Sequence, residues 1–306
     1  MNFLFIIYHI LNENERDLLM YKNKKIGIVI LNYKDHENTK KLCNLIEKYV
    51  SIDKIAVVDN LSPDSSFEIL KKIKSKKIDV IQSDRNGGYS YGNNYGAFYL
   101  INKYKIDILF IANPDVEFDE NFIIKCSEII NKDIVQATSG IMLDLNGKKS
   151  KWSGKINNFF EDLIDCTIFL KQFFLNYTFN YTYTKNELIY VDFLPGSLFA
   201  INANIFKRIN GFDDNVFLYY EESILALKLR KHGYNLALCR DISFKHIHSA
   251  SINKSIAKIN QFKQLCNSKL YLHKKYLKDN TFQIYLLKLF IKYGILMRKL
   301  IYKILY

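Results

Sequence analysis

The sequence predicts an α/β protein in which helices flank a mostly parallel sheet. Apolar runs rich in β-branched residues, typical of strands buried on both faces, alternate with segments of helical spacing. The rhythm of this alternation is that of βαβ units. Polar and acidic side chains recur where the predicted strands end, which is the edge at which open α/β sheets bind ligands.

The first half of the chain repeats the strand–helix unit. KIGIVILNY, at residues 25–33, is a continuous apolar run and predicts the first buried strand. The segment that follows, at 37–50, spaces its apolar residues as a helix does. The same patterns predict further strands at 54–60, 78–83 and 106–115 and further helices at 65–76 and 88–104.

The second half is less regular. Residues 148–187 are aromatic and predict an insertion that covers the site, and 189–213 predict a strand, a Pro-Gly turn, a second strand and a short helix. A helix at 221–234 and a late strand with a histidine pair at 236–251 follow. We therefore expect an N-terminal extension at 1–24, the α/β domain at 25–251 and a basic amphipathic helical region at 252–306.

Composition narrows the classes of partner. The 306 residues, 49% hydrophobic, suffice for one sizeable core, and 3 prolines and 12 glycines argue against disorder. The net charge of +13 favours phosphates, anionic lipid or nucleic acid, but the basic residues form no nucleic-acid reading module, so nucleic acid is not expected. The 5 cysteines form no CxxC pair, which predicts free thiols in a reducing cytoplasm rather than a zinc site.

Carboxylates at strand ends are the first candidates for chemistry. Asp115, in Asn113-Pro114-Asp115, could hold a divalent cation such as Mg²⁺ or Mn²⁺ that bridges a diphosphate, although Asn-Pro-Asp is also ordinary turn chemistry. Asp59 could accept hydrogen bonds from a nucleobase or ribose, or belong to a helix cap. Gly87 and Gly88 allow a tight backbone approach before a helix N-terminus suited to an anion.

Two later features could complete a site. Glu221 and Glu222 open a helix, where acids favour the macrodipole, but they could also supply a general base that takes a proton from an acceptor hydroxyl. His246 and His248 alternate on an extended segment, so at most one points into a site. A metal role for a histidine requires that its segment run back beside Asp115.

An ordered set of motifs resembles a known family. IVILNY, IAVVDNLSPDSS, DRNGGYSYGNNYGA, IANPDVEF, LPGSLFAINANIFKRINGFDDNVFLYYEE and LRKHGY follow one another between residues 25 and 251. Together they are similar to glycosyltransferase family 2, especially to the rhamnosyltransferase-like members that build capsule, O-antigen or other cell-surface polysaccharides. No single motif is decisive, whereas the ordered set is specific.

The resemblance implies a GT-A fold, which is Rossmann-like, a nucleotide-diphosphate sugar donor and a divalent metal, Mn²⁺ or Mg²⁺. It implies that Asp115 and His246 hold the metal, with His248 the alternative to His246, and that Glu222 is the base with Glu221 beside it. Gly196 and Ser197 would line the acceptor side. The donor contacts implied are Asn32, Asp59, Asn86, Gly87, Asn94 and Asn113.

Two positions depart from the family pattern. The usual Glu-Asp pair reads Glu221-Glu222 here, which leaves open which of the two is the base. The later aspartate of that motif is Ile224, which removes any contact from that position.

The reaction expected from the resemblance is inverting sugar transfer from a nucleotide-diphosphate donor to a glycan acceptor that is lipid-linked. The alternative is a catalytically silent or nucleotidyltransferase relative of the same fold that acts as a membrane-surface binding protein. A nucleotidyltransferase would carry a glycine-rich basic loop after the first strand, and LNYKDHEN, at residues 31–38, has no glycine.

The C-terminal tail predicts attachment to an anionic membrane. Lys288, Lys292, Lys299 and Lys303 fall on one side of an otherwise apolar helix, as in helices that lie in the membrane interface. The alternative is a helix that packs on the catalytic domain or on a second subunit. The short apolar run before Met20 resembles neither a signal peptide nor a spanning helix. We expect a cytoplasmic protein that is peripheral at the inner face of the cell membrane.

Overall fold

The strands form one mixed sheet. The structure is a computed structural model and describes residues 24–150, 154–168, 187–247 and 255–305. The strands are β1 Ile26–Asn32, β2 Lys54–Asp59, β3 Ile78–Gln82, β4 Ile108–Ala112, β5 Val116–Glu117, β6 Ala137–Leu143, β7 Leu188–Tyr190, β8 Leu198–Asn202 and β9 Leu236–His246. Their order is β3-β2-β1-β4-β8-β6-β9-β5, and β7 also pairs with β9.

The helices cover both faces of this sheet. They are α1 His36–Ile46, α2 Ser66–Leu70, α3 Gly88–Tyr104, α4 Glu120–Asn131, α5 Phe159–Cys166, α6 Ala203–Arg208, α7 Glu221–Lys231, α8 Ser255–Leu272 and α9 Thr281–Leu305, with a π-helical segment, His273–Leu277, between α8 and α9. Apolar residues of β1 that alternate along the strand contact α1 on one face and α3 on the other. This two-sided burial explains the uninterrupted apolar runs of the sequence.

The mostly parallel sheet that the sequence predicts is confirmed, with an antiparallel part added. Strands β1, β2, β3 and β4 pair in parallel, as do β6 and β9. Strand β8 runs antiparallel between β4 and β6, and β5 and β7 pair antiparallel with β9. The carboxyl ends of β1, β2 and β4 therefore meet at one edge, as a parallel arrangement requires.

Some elements differ from the prediction. The helix expected at 65–76 spans only α2, and α4, β5 and β6 were not predicted. The sequence of β6 lacks the apolar pattern that predicts a strand, because its small polar residues are buried and hydrogen-bonded to neighbouring strands. Thr138 Oγ1 donates to Ala237 O (2.9 Å) and Ser139 Oγ donates to Leu198 O (2.6 Å). Helix α4 did have a signal, since Asp119 caps it by accepting from Phe122 N.

The C-terminal helices pack on the rest of the chain. Leu287 of α9 is buried against Leu163 and Cys166 of α5. Arg298 donates to Cys166 O (3.1 Å), and its guanidinium lies 3.5 Å from the ring centroid of Phe262 in α8. One face of the tail thus packs within this chain, which is one of the alternatives that the sequence left open.

Helix α3 lies close to the sheet because glycines face it. A Cβ added to Gly96 would lie 2.6 Å from Val58 Cγ2 and 2.7 Å from Val29 Cγ1, much closer than carbon atoms pack. Both valines are fully buried and cannot move away. Close approach of α3 to β1 and β2 therefore requires glycine at this position.

We predict that Gly96→Ala lowers the free energy of unfolding by about 1–3 kcal/mol, since an extra methyl group overfills a packed interface. Chemical denaturation measures this change. The control is Asn102→Ala at an exposed position of the same helix, which should change stability by no more than about 0.5 kcal/mol. Equal effects of the two substitutions would contradict the close packing of α3.

Candidate active site

A buried carboxylate links the ends of three strands. Asp59, at the end of β2, is fully buried, and both of its oxygens accept hydrogen bonds. Asn32 Nδ2, at the end of β1, donates to Oδ1 (2.7 Å), while Ser62 N (3.0 Å) and Gln82 Nε2 (3.1 Å) of β3 donate to Oδ2. Asp59 and Asn32 thus hold the edge of the sheet in place. Their contact with a donor stays a prediction.

The predicted glycine loop follows directly. Asn60 Nδ2 donates to Asn86 Oδ1 (3.0 Å) and to Gly88 O (3.1 Å). Gly88 has φ +80°, and an added Cβ would lie 2.0 Å from Phe217 O, so only glycine fits. An added Cβ on Gly87 would lie 2.4 Å from the Tyr91 ring. The loop is therefore fixed against residues far along the chain.

Asn94, on the second turn of α3, faces the segment 212–220, which precedes α7. Its Oδ1 accepts from Phe212 N (2.9 Å), and its Nδ2 donates to Phe212 O (3.0 Å) and to Asp214 Oδ1 (2.6 Å). Its polar atoms thus anchor this segment. A contact between Asn94 and a donor stays a prediction.

The candidate metal ligands lie side by side. Strand β5 pairs with β9 so that Val116 is opposite His246, and His246 Nε2 lies 3.2 Å from Asp115 Oδ1. The histidine segment therefore runs back beside Asp115, the condition that the sequence set for a metal role. Asn113 N, two residues before Asp115, donates to Ser197 O (2.8 Å). His248 lies outside the described residues.

The pair fits a divalent cation as part of an open site. A carboxylate oxygen and an imidazole nitrogen are both ligands of Mn²⁺, and such ions keep positions for water or phosphate oxygens. Within the described ranges no cluster of three or more His, Cys, Asp and Glu residues could hold a metal. Asp115 and His246 would therefore hold an ion together with oxygens of a bound ligand.

The acid pair lies at the start of α7. Tyr219 (φ 70°) and Tyr220 (φ 66°), the two residues before Glu221, are both left-handed, a conformation that costs non-glycine residues energy. The Oε2 atoms of Glu221 and Glu222 are both shielded from solvent and have no hydrogen-bond partner among the described residues. Strained backbone and unpaired buried acids are typical of functional sites.

Burial changes the proton affinity of the pair. Burial, with the charge of Glu222 added, raises the pKa of Glu221 well above its ordinary value. Burial likewise raises the pKa of Glu222. The pKa of Tyr89, at the start of α3, is also raised well above its ordinary value by burial and by the charges of both glutamates. A carboxylate with raised proton affinity suits a general base.

Contacts connect the acid pair to the other candidates. The Tyr89 hydroxyl donates to Gly196 O, and Tyr89 N donates to Phe217 O (2.8 Å). A Cβ added to Gly196 would lie 3.7 Å from both the Tyr89 hydroxyl and Glu222 Cδ. Through Ser197 the same turn bonds to Asn113. The glycine loop, the acid pair, the Pro-Gly turn and the loop at 113–115 thus lie next to one another in a continuous series.

Tyr89 and the backbone of Phe217 are part of this site but were not predicted from the sequence. Tyr89 follows the glycine pair directly, so its place at a helix N-terminus could have drawn attention. Phe217 contributes only its carbonyl oxygen, for which no side-chain pattern exists.

This sheet and this edge define the GT-A class of glycosyltransferase fold. The mannosyltransferase PcManGT from Pyrobaculum calidifontis, solved with GDP-Man and Mn²⁺, has a similar fold, with a TM-score of 0.56 at 12% sequence identity. The match covers 92% of this chain and 80% of that one. At such low identity the comparison shows the fold alone.

Residues 27–210 match the model of glycosyl transferase family 2, and the chain belongs to that family. It is 26% identical over 221 residues to the low-salt glycan biosynthesis hexosyltransferase Agl10 of Haloferax volcanii, across 72% of this chain and 66% of that protein, just under two thirds of the relative's length. It is 28% identical over 220 residues to the rhamnosyltransferase WbbL of Escherichia coli, across 69% of this chain and 79% of that protein.

We predict that Glu222→Gln stabilises the protein. A carboxyl whose pKa is raised by folding binds its proton more tightly when folded, so its contribution to stability falls as pH rises above its ordinary pKa. Removing the buried charge should raise the free energy of unfolding by roughly 0.5–2 kcal/mol at pH 8, and by less at pH 5. Denaturant titration at both pH values measures the difference.

The control for this experiment is Glu37→Gln. Glu37 lies in the first turn of α1, just as Glu222 lies in the first turn of α7, but the side chain of Glu37 is exposed. The substitution should cost a few tenths of a kcal/mol through the helix macrodipole, roughly equally at both pH values. A gain from Glu222→Gln that is the same at pH 5 and pH 8 would contradict burial of an ionisable charge.

Proposed function

We propose that the protein transfers a sugar, with inversion, from a nucleotide-diphosphate donor to a lipid-linked glycan acceptor in cell-surface polysaccharide biosynthesis, such as that of capsule or O-antigen. The acid pair beside Gly196, whose Oε2 atoms are shielded from solvent and have no hydrogen-bond partner among the described residues, carries this proposal. It supplies a base where the resemblance expects the acceptor. Membership of family 2 and the GT-A fold support it.

Glu222 acts as the base. Its carboxyl lies beside the Pro-Gly turn, and burial raises its pKa, which strengthens its hold on a proton. The acceptor hydroxyl loses its proton to Glu222 Oε2 as its oxygen attacks the anomeric carbon. The bond from that carbon to the diphosphate oxygen breaks on the opposite face, so configuration inverts and no covalent enzyme intermediate forms.

The donor lies along the edge formed by the ends of β1, β2 and β4. Asn86, Gly87 and Asn113 offer polar and backbone groups there, while Asn32, Asp59 and Asn94 fix the edge by the hydrogen bonds already described. Asp115 and His246 would hold Mn²⁺ or Mg²⁺, which neutralises charge on the departing diphosphate when bound. Gly196 and Ser197 form the acceptor side.

We predict that Glu222→Gln lowers kcat by at least about 100-fold, since general base catalysis typically contributes that much. Asp115→Asn should lower turnover as well, and more strongly at low Mn²⁺. The assay measures nucleoside diphosphate released from a panel of UDP-, GDP- and dTDP-sugars with Mn²⁺ and a glycolipid acceptor. Product anomeric configuration, determined by NMR, tests inversion.

The exposed Glu37→Gln variant should keep the wild-type rate. Near wild-type transfer by both Glu222→Gln and Asp115→Asn would refute the site assignment. A wild-type protein that gains thermal stability from UDP and Mn²⁺ but turns over none of the sugars would favour the catalytically silent relative.

The outer face of α9 supports the proposal of a membrane partner. Of the helices in the described ranges, none is long and apolar enough to span a membrane. Yet one face of α9 exposes a row of large apolar side chains, here called the α9 stripe: Phe282, Tyr285, Leu289, Tyr293, Leu296 and Leu300. Phe282 is 71% exposed. The opposite face packs on α5, so the described residues leave the stripe exposed to solvent.

Charge favours an anionic lipid surface as that partner. At 100° per residue the lysines lie along one flank of the α9 stripe, and all are exposed: Lys288, Lys292, Lys299 and Lys303. An apolar face with lysines beside it enters the interface while the ammonium groups meet lipid phosphates. An enzyme docked in this way would share a surface with a lipid-linked acceptor.

We predict that the double substitution Leu289→Ser with Leu296→Ser lowers binding to phosphatidylglycerol vesicles about tenfold or more. Full burial of one leucine side chain contributes a favourable free energy of about 1.5–3 kcal/mol. Lys292→Gln with Lys299→Gln should weaken binding to these vesicles but not to phosphatidylcholine vesicles. Sedimentation with vesicles measures both effects. Point substitutions are preferable to deletion of α9, because deletion would expose the core around Leu287.

Leu289→Met with Leu296→Met keeps the apolar surface and should bind like wild type. If wild-type protein ignores anionic vesicles and instead dimerises through α9, with the serine variant monomeric in sedimentation equilibrium, a second copy covers the α9 stripe and the membrane proposal is wrong.

A further inference from the structure

The segment 212–220, which leads into the acid pair, is held from the C-terminal side as well as from α3. Ser268 Oγ of α8 donates to Leu218 O (2.7 Å). Asp213 Oδ2 accepts from Tyr271 (2.9 Å), Lys275 (2.9 Å) and Tyr276 (2.6 Å). The end of α8 and the π-helical segment therefore hold the segment 212–220 in place by hydrogen bonds just before Glu221.

A cluster of buried charges lies beneath this contact. Lys269 is fully buried and bonds to Asp165 Oδ2 (2.7 Å) and Asp162 Oδ1 (3.2 Å). Both ring nitrogens of His273 face carboxylates, Nε2 to Asp162 Oδ2 (2.9 Å) and Nδ1 to Asp279 Oδ2 (2.7 Å). These five residues, here called the Asp162 cluster, join α5, α8 and the π-helical segment.

The charges of the Asp162 cluster fit one another. Although burial opposes it, the hydrogen bond from His273 and the charge of Lys269 lower the pKa of Asp162. Burial tends to lower the pKa of His273, but the hydrogen bonds to Asp162 and Asp279 and the charges of these two residues raise it. Asn157 Nδ2 also donates to Asp162 Oδ1 (3.0 Å), so this carboxylate is bonded on every side within the fold.

Asp162 connects this cluster to the residue that precedes the acid pair. The Tyr220 hydroxyl donates to Asp162 Oδ1 (3.2 Å), and Tyr220 is the left-handed residue directly before Glu221. The left-handed conformation costs a tyrosine conformational energy, and it persists only where the surroundings enforce it. The bond from the Tyr220 ring to a fixed carboxylate supplies such enforcement.

We propose that the Asp162 cluster is a positioning device for the reaction, which acts through the Tyr220 hydroxyl to fix the backbone at which Glu221 and Glu222 start α7. The proposal rests on the proposed function, because it assigns Tyr220 and Asp162 to the orientation of the base. Neither residue is proposed to touch the substrate. Lys269 and His273 lie beyond residues 27–210, the part of the chain that matches the family model.

Stability alone is a weaker explanation for the cluster. Desolvation of buried ions offsets most of their attraction, so apolar side chains of similar size would hold α5 and α8 together about as well. Ionic hydrogen bonds differ from apolar contacts in fixing direction, and a base must be held close to its productive geometry. The π-helical segment, a rare form that is frequent at functional sites, places His273 between its two carboxylates.

Tyr220→Phe tests the proposal, because it removes one hydroxyl and leaves Asp162 with three charged or amide donors. We expect kcat to fall about tenfold, as small misplacements of catalytic groups do, while KM for the donor stays within about twofold. Amide hydrogen exchange of residues 217–224 should accelerate. The exchange readout does not depend on any activity.

The matched control is Tyr104→Phe. Tyr104 donates to Asp79 Oδ2 (2.5 Å) at the far end of α3. The Tyr104→Phe variant therefore also loses one hydrogen bond between a phenol and a carboxylate. Its kcat and the amide exchange of residues 217–224 should match those of the wild type. Equal kcat and equal exchange for Tyr220→Phe and wild type would overturn the positioning role. Faster exchange in Tyr220→Phe, combined with no sugar transfer by wild-type protein, would sustain the positioning of the acid pair and refute the proposed function instead.

Discussion

A buried carboxylate oxygen without a hydrogen-bond partner is a costly feature, and in the part of the chain that the structure describes the start of α7 has two, the Oε2 atoms of Glu221 and Glu222. Several surrounding contacts oppose their escape to solvent. Asn94 holds the backbone of Phe212, and the glycine loop closes on Phe217 O. The chain accepts left-handed tyrosines at the same place. Stability is given up here for a group whose proton affinity suits catalysis, as is common where activity needs strain.

The contacts of the segment 212–220 connect the C-terminal helices to the candidate site. Contacts from α3 approach this segment on one side, and contacts from α8 and the π-helical segment approach it on the other. The family match ends at residue 210, before this segment begins. The outer parts of the site are therefore built from elements that the family match does not include. Helix α9 packs on α5 and exposes a row of apolar side chains on its other face.

The sequence predicts those parts of the fold and site that depend on local pattern. Apolar runs mark β1 to β4, and the acid pair and the glycine loop stand in short recognisable stretches. The sequence does not predict β6, since its buried polar residues are satisfied by strands far along the chain. It also gives no sign that Asp162, 58 residues before Tyr220, bonds to it. Such pairings depend on tertiary packing of segments whose spacing carries no period.

Sequence alone also left open which glutamate is the base, and the structure favours one of them. Adjacent acids that interact this closely lose their protons in two steps that belong to the pair. Glu221 is the more deeply buried residue, at 7% exposure, and feels the charge of its neighbour in addition to burial. Glu221 therefore holds a proton more tightly than Glu222 does. Because Glu222 is also the glutamate that lies beside Gly196, charge and position both support the proposal that Glu222 is the base.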